Sequence, residues 1–176
     1  MRIYEGSPRQ DFEEVFRSIG AFLDQRSMKE VLLAEAPDGF IVQGLVTVGS
    51  DSNAWSESMG TQTKETLTFL DDDIARFMDE ALARRNQAVP DDWAKAGYYE
   101  KAFRVLGRYM DEQKPRDTFF FEQDGAFVVR LLMASPTGSR HILSEFTRED
   151  IDAMIAQGPG RRDQKTTPSK TKSSET

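Results

Sequence analysis

The 176-residue chain has no cysteine. That excludes disulfides, thiolate zinc sites, iron–sulfur clusters and cysteine nucleophiles. It has one histidine, His141, so no multi-histidine metal centre can form. No stretch approaches the roughly 20 apolar residues needed to span a bilayer as a helix. The opening MRIYEGSPRQDFEEVF carries neither the apolar run nor the small-residue cleavage site of a secretory signal. These absences lead to the expectation of a cytoplasmic protein with no membrane contact. Phosphate-cradling glycine loops are also missing: neither G-x-x-x-x-G-K-[ST] nor G-x-G-x-x-G occurs. No predicted strand offers the E-x-K or D-x-K pattern of a restriction-like nuclease. His141 lacks a serine elbow, a second histidine or a cysteine to work with. No cofactor and no catalytic residue are expected.

What is present is charge, unevenly spread. Thirty acidic and 23 basic residues give a formal net charge of −7. Residues 158–176, GPGRRDQKTTPSKTKSSET, hold five basic and two acidic residues, a net of +3 that leaves −10 on the rest. This tail has no aromatic or branched aliphatic side chain and predicts disorder. A basic arm can touch nucleic acid or an acidic partner; the plainer reading is a solubilising terminus or a tether to the acidic body. Apart from the tail, so acidic a chain is a poor ligand for a phosphate backbone.

The chain also resembles itself. Phe12–Glu35 aligns with Tyr99–Glu122 at an offset of 87, matching Glu13 with Glu100, Phe16 with Phe103, Arg17 with Arg104, Gly20 with Gly107, Asp24 with Asp111 and Glu35 with Glu122. The offset then becomes 86, bringing Asp38-Gly39 onto Asp124-Gly125, and later 77, bringing Phe69 onto Phe146 and Asp73-Ile74 onto Asp150-Ile151. The pattern predicts two copies, about 7–86 and 91–157, each ordered helix, strand, strand, strand, helix.

Local signals agree with that order. Ser7-Pro8-Arg9-Gln10 reads as a capping box, followed by an apolar stripe of Phe12, Val15, Phe16, Ile19, Phe22 and Leu23. Strands over Glu30–Ala36 and Phe40–Val48 flank the turn Pro37-Asp38-Gly39. A third strand is predicted near Glu65–Leu70, and Asp71-Asp72-Asp73 opens a second helix. In the other half, Pro90-Asp91-Asp92 opens a helical region broken near Gly97. Strands follow at Thr118–Gln123, Ala126–Ala134 and His141–Phe146. Thr147-Arg148-Glu149-Asp150 caps the last helix. The fold class is therefore α+β: one domain over 1–157, antiparallel sheet with helices on one face, pseudo-two-fold, and a disordered tail. Whether the six strands make one sheet or two is open at this level.

Most chemistry-bearing groups have plain readings. Glu13/Arg17 and Glu100/Arg104 read as i, i+4 ion pairs on helix surfaces, in preference to a symmetric anion site. Gly20 and Gly107 interrupt helical stripes, at roughly 1 kcal/mol each against alanine, and predict a close backbone approach at a helix crossing. Asp71–Asp73 with Glu65, and likewise Asp91-Asp92, read as caps in preference to a divalent-cation site, because the spacing matches no EF-hand loop. Phe119-Phe120-Phe121 reads as core and not as a base-stacking platform, since Arg130 stands nearly alone among apolar neighbours.

The first half carries about nine extra residues between its second and third strands. This Ser50–Thr63 loop places Trp55, Glu57 and Met59 among small polar residues, a composition suited to adaptable recognition. These three are the candidate partner-binding residues. The helix-plus-three-strands order is similar to that of small acidic secretion chaperones and related α/β regulators, in topology alone. The expectation is a non-enzymatic adaptor, chaperone-like or regulatory module that presents a sheet surface and this loop to a protein partner, as a monomer or homodimer. A carboxylate- or Mg-dependent hydrolase using Asp71–Asp73 or Glu57 is the alternative. Nucleic-acid association through the tail is the second alternative.

Overall fold

The computed structural model describes residues 11–48, 61–86, 92–136, 138–158 and 170–175. Along the chain run α1 (Phe12–Gln25), β1 (Lys29–Ala36), β2 (Gly39–Val48), β3 (Thr61–Leu70), α2 (Asp71–Asn86), α3 (Tyr98–Gln113), β4 (Asp117–Gln123), β5 (Ala126–Ser135), β6 (Gly138–Phe146), α4 (Arg148–Ala156) and β7 (Lys170–Glu175). The strands form a single antiparallel sheet in the order β3-β2-β1-β4-β5-β6-β7. All four helices pack on one face. Between the layers lies a bed of rings: Phe12, Phe16, Phe40, Phe103, Phe120, Phe127 and Phe146 are each under 2% exposed. Phe16 sits at its centre, with ring centroids 5.3 Å from Phe40, 5.7 Å from Phe120 and 6.3 Å from Phe103. Fully burying one such ring stabilises by about 1.5–3 kcal/mol, so this layer supplies most of the cohesion between helices and sheet.

The two halves meet at α1 against α3 and at β1 against β4. Contacts there are returned at positions 87 residues apart. Gly20 lies under the backbone of Tyr99 and Glu100, and Gly107 under that of Phe12 and Glu13. Asp24 accepts from the N–H groups of Tyr99 (3.0 Å) and Glu100 (2.8 Å), while Asp111 accepts from those of Phe12 (2.9 Å) and Glu13 (3.1 Å). Each helix thus satisfies otherwise orphaned N-terminal donors of the other. Glu122 accepts from the N–H of Val31 at 3.4 Å and Glu35 from that of Thr118 at 3.1 Å. Leu33 faces Phe120 in the β1–β4 ladder, and Phe16 faces Phe103. In each of these pairs too the partners are 87 residues apart.

Several expectations need correction. Glu13 and Arg17 do not pair along their own helix. Arg17 Nε donates to Glu100 at 3.0 Å and Arg104 Nε to Glu13 at 3.0 Å, so the matched charges cross between α1 and α3. The offset stays at 87 through the hairpins, because the two-residue loops are Pro37-Asp38 and Asp124-Gly125. Phe40 and Val42 are then the counterparts of the equally buried Phe127 and Val129. The second turn has positive φ at both Asp124 (52°) and Gly125 (77°), the backbone of a type I′ hairpin turn.

Helix α1 begins at Phe12, and the Ser7–Gln10 box lies outside the described residues. The helix expected from Pro90-Asp91-Asp92 does not form among the described residues: Trp93–Lys95 make a turn and α3 starts only at Tyr98, after Gly97. β3 is longer than expected: Thr61, Gln62 and Thr63, assigned above to the loop, pair with Val48, Thr47 and Val46. Lys170–Glu175 form β7 on the outer edge of β6, because backbone hydrogen bonds need no apolar side chain and Lys170 finds Glu145 at 3.3 Å.

Candidate functional site

Strand alternation divides the sheet into two faces. Leu33, Val42, Phe120, Val129 and Ile142 point into the helix layer and are buried. Their neighbours point the other way, onto a face that no helix covers among the described residues. Cross-strand registers place Ile41, Ala34, Phe119, Arg130 and Leu143 in one row. Gln43, Leu32, Phe121, Val128 and Glu145 form the next row; Leu45 lies beyond this row and Leu132 beyond the first. The rings of Phe119 and Phe121 are 6.1 Å apart, and the Arg130 guanidinium lies 5.2 Å above Phe119. These aliphatic and aromatic side chains shield one another and are half-buried; Leu143 is 45% exposed. The face is thus mainly apolar, with Gln43, Arg130 and Glu145 set among the aliphatic and aromatic side chains. The core reading of Phe119-Phe120-Phe121 holds for Phe120 alone. Phe119 and Phe121 belong to the open face, and the alternation in β4 and β5 was the signal for it.

A cleft of about 580 Å³ opens between the end of α1, the start of α3 and the β4–β5 turn. Its wall concentrates backbone strain. Ser27 (φ 52°), Glu30 (φ 49°) and Asp124 (φ 52°) line it, leaving Lys114 as the other non-glycine residue of positive φ among those described. Tyr98 lies beneath Arg148, whose guanidinium is 4.0 Å from the ring centroid. The Tyr98 hydroxyl is buried with no hydrogen-bond partner among the described residues. Burial pushes its pKa up to about 12, with Arg148 opposing the shift and Glu122 and Asp152 adding to it. Tyr99 donates its hydroxyl to Glu122 at 2.6 Å, and burial together with that bond raises it too. Both phenols stay protonated at neutral pH. They can donate hydrogen bonds but cannot act as bases there.

A second cleft of about 460 Å³ is lined by Arg17, Arg76 and Arg84. These guanidiniums are committed to carboxylates. Arg17 meets Glu100, Arg84 meets Glu14 at 2.9 Å, and Arg76 meets Asp73 at 2.8 Å. The symmetric anion site weighed above needs Arg17 and Arg104; Arg104 does not line this cleft, and the two are taken by Glu100 and Glu13.

The remaining sequence candidates fall as follows. Trp55, Glu57 and Met59 lie outside the described residues. Asp73 accepts from the N–H of Leu70 at 3.2 Å, as Asp150 accepts from that of Thr147 at 2.8 Å, so both cap the helix that follows a strand. Glu65 pairs with Arg26 across the edge of the α1–sheet junction. Among the described residues no group of three or more His, Asp or Glu side chains is placed to hold a metal ion. His141 is half-buried on the helix-free face, with Nδ1 unpartnered among the described residues. No described helix is long and apolar enough to cross a membrane. No protein-family model, no curated protein and no solved structure matches the chain.

Proposed function

We propose that the chain is a non-enzymatic protein-interaction module that receives an apolar partner surface on the helix-free face of its sheet. The supporting observation is that Ile41, Leu45, Leu32, Phe119, Phe121, Val128 and Leu132 share this face on four adjacent strands, β2-β1-β4-β5, with only Gln43 and Arg130 set among them and no covering helix among the described residues. The Arg130–Phe119 stack within this face leaves a single guanidinium there, which suits a polypeptide better than a polyanion on an acidic body. The reciprocal contacts at 87-residue spacing support reading the halves as two copies of one unit, in which one chain forms the pair that a homodimer would otherwise make.

Affinity capture from the native host with mass spectrometry tests the proposal, using wild type, Ile41→Asp, Phe121→Asp and Trp55→Ala/Met59→Ala. A stoichiometric protein partner lost in both aspartate variants, with the circular dichroism unchanged, is the expected result. A partner retained by both and lost only in the loop variant would move the site to residues 50–63. A partner kept by all the variants would remove both surfaces.

A further inference from the structure

We propose that the outer edge of β6 is a second docking site, for an extended segment of a partner protein, and that β7 is its weakly held resident. The reading rests on the interaction-module proposal for the ligand class, a polypeptide, but concerns a different surface. β7 pairs with β6 from Arg140–Glu175 to Glu145–Lys170 in regular antiparallel register. Its sequence, Lys-Thr-Lys-Ser-Ser-Glu, contains no apolar residue. Its ladder of main-chain hydrogen bonds is joined by the exposed Lys170–Glu145 pair at 3.3 Å. Surface pairs of this kind contribute little. The strand it covers is more apolar. Lys172 stands opposite Leu143, which stays 45% exposed, and Ser173 stands opposite the buried Ile142.

The two edges of the sheet differ accordingly. β3, the counterpart of β6 in the first half, carries no further strand among the described residues. The edge of β6 accepts a strand, and the one that fills it brings no apolar residue. Main-chain pairing supplies affinity in strand addition, and alternate side chains supply selectivity. The favoured occupant keeps a basic residue opposite Glu145 and an acidic one opposite Arg140, and places apolar residues opposite Leu143 and Ile142.

The test uses a fluorescein-labelled hexapeptide with the β7 sequence, altered to leucine at the position of Lys172 and valine at that of Ser173. Its affinity is measured by anisotropy against the full chain and against Lys172→Pro/Ser173→Pro. Successive strand residues aim their N–H groups to opposite sides, so one of the two prolines must remove a bond to β6. If β7 occupies the edge for nine-tenths of the time or more, the proline variant binds the peptide about tenfold tighter or better. Glu145→Lys in the same background weakens that binding.

Equal affinity for wild type and the proline variant, or binding to neither, overturns the proposal. Should the prolines disturb the fold, Lys170→Glu provides the second variant. Its carboxylate faces Glu145, and the peptide's affinity rises above that for wild type; an unchanged affinity counts against the proposal. Ile41→Asp, four strands from β6, leaves peptide binding intact. Failure of the sheet-face reading and failure of the edge reading are therefore separable.

Discussion

Replacing Gly20 or Gly107 with alanine probes the junction on which the two halves depend. On an exposed helix the change would stabilise by about 1 kcal/mol through helix propensity. At this crossing the sign reverses. A Cβ on Gly107 would meet the carbonyl oxygen of Phe12 at 2.5 Å, its carbon at 2.7 Å and Glu13 Cα at 2.8 Å. A Cβ on Gly20 would meet the Tyr99 carbonyl, with its carbon at 2.6 Å and Glu100 Cα at 2.8 Å. All of these are backbone atoms and cannot swing aside. An ordinary carbon–carbon contact is about 3.5 Å, so the helices must separate by roughly 1 Å.

The nearby capping bonds, 2.8–3.1 Å long, would then stretch beyond hydrogen-bond range. Overpacking costs about 1–3 kcal/mol and a lost cap about 1 kcal/mol. After subtracting the propensity gain, each variant is expected to lose about 1–3 kcal/mol. That is a large share of the 5–15 kcal/mol typical of a domain. Urea unfolding followed by circular dichroism measures the loss. The double variant should lose less than the two singles together, because one separation serves both. Either variant unfolding at or above the wild-type midpoint would refute the close crossing.

Two further predictions concern buried polar groups. Burial is the largest influence on Asp111 and pushes its pKa from 3.8 up to about 7 despite two backbone N–H bonds. The folded state then holds a proton that the unfolded state releases. Stability attributable to this group is full below about pH 4 and falls as pH rises toward 7. Urea midpoints of wild type and Asp111→Asn should therefore diverge across this window, with the wild type losing more; parallel profiles would sink the assignment. Tyr109 and Ser144 share a buried hydroxyl–hydroxyl bond of 2.7 Å. Tyr109→Phe or Ser144→Ala each strands one buried group, at about 1–3 kcal/mol, whereas the double variant strands neither. A cycle in which the two losses simply add would count against the bond.

Much of the architecture was legible because it rests on local periodicity. The stripe from Phe12 to Leu23, the alternation in Phe40–Val48 and the cap at Thr147 each name their element with no knowledge of the rest. The close approach at Gly20 and Gly107 was also readable, since a glycine inside a helical stripe needs a steric reason. What escaped was relational. Glu13 and Arg17 sit at the spacing of a helix pair, and nothing in one helix says that each is claimed by the other helix. Phe119 and Phe121 look like core until β4 is placed centrally with its helices on one side. β7 has no apolar residue, so no pattern announces it; it exists because β6 offers unpaired backbone groups. Glu35 and Glu122 bind N–H groups across the β1–β4 seam, a role visible only once the register is known.

The exchanged caps also set a timetable. The Phe12 amide waits for a carboxylate 99 residues downstream, and β1 waits for β4 to become an interior strand. At roughly 5–20 residues per second, ribosomal synthesis takes roughly 5–20 s to cover that distance. Throughout that interval the first half has its apolar helix stripe and its hairpin but not the surfaces that complete them. Long-range closures of this kind slow folding. The nascent chain therefore passes through a stage in which its first half must be kept from aggregating until the second half emerges.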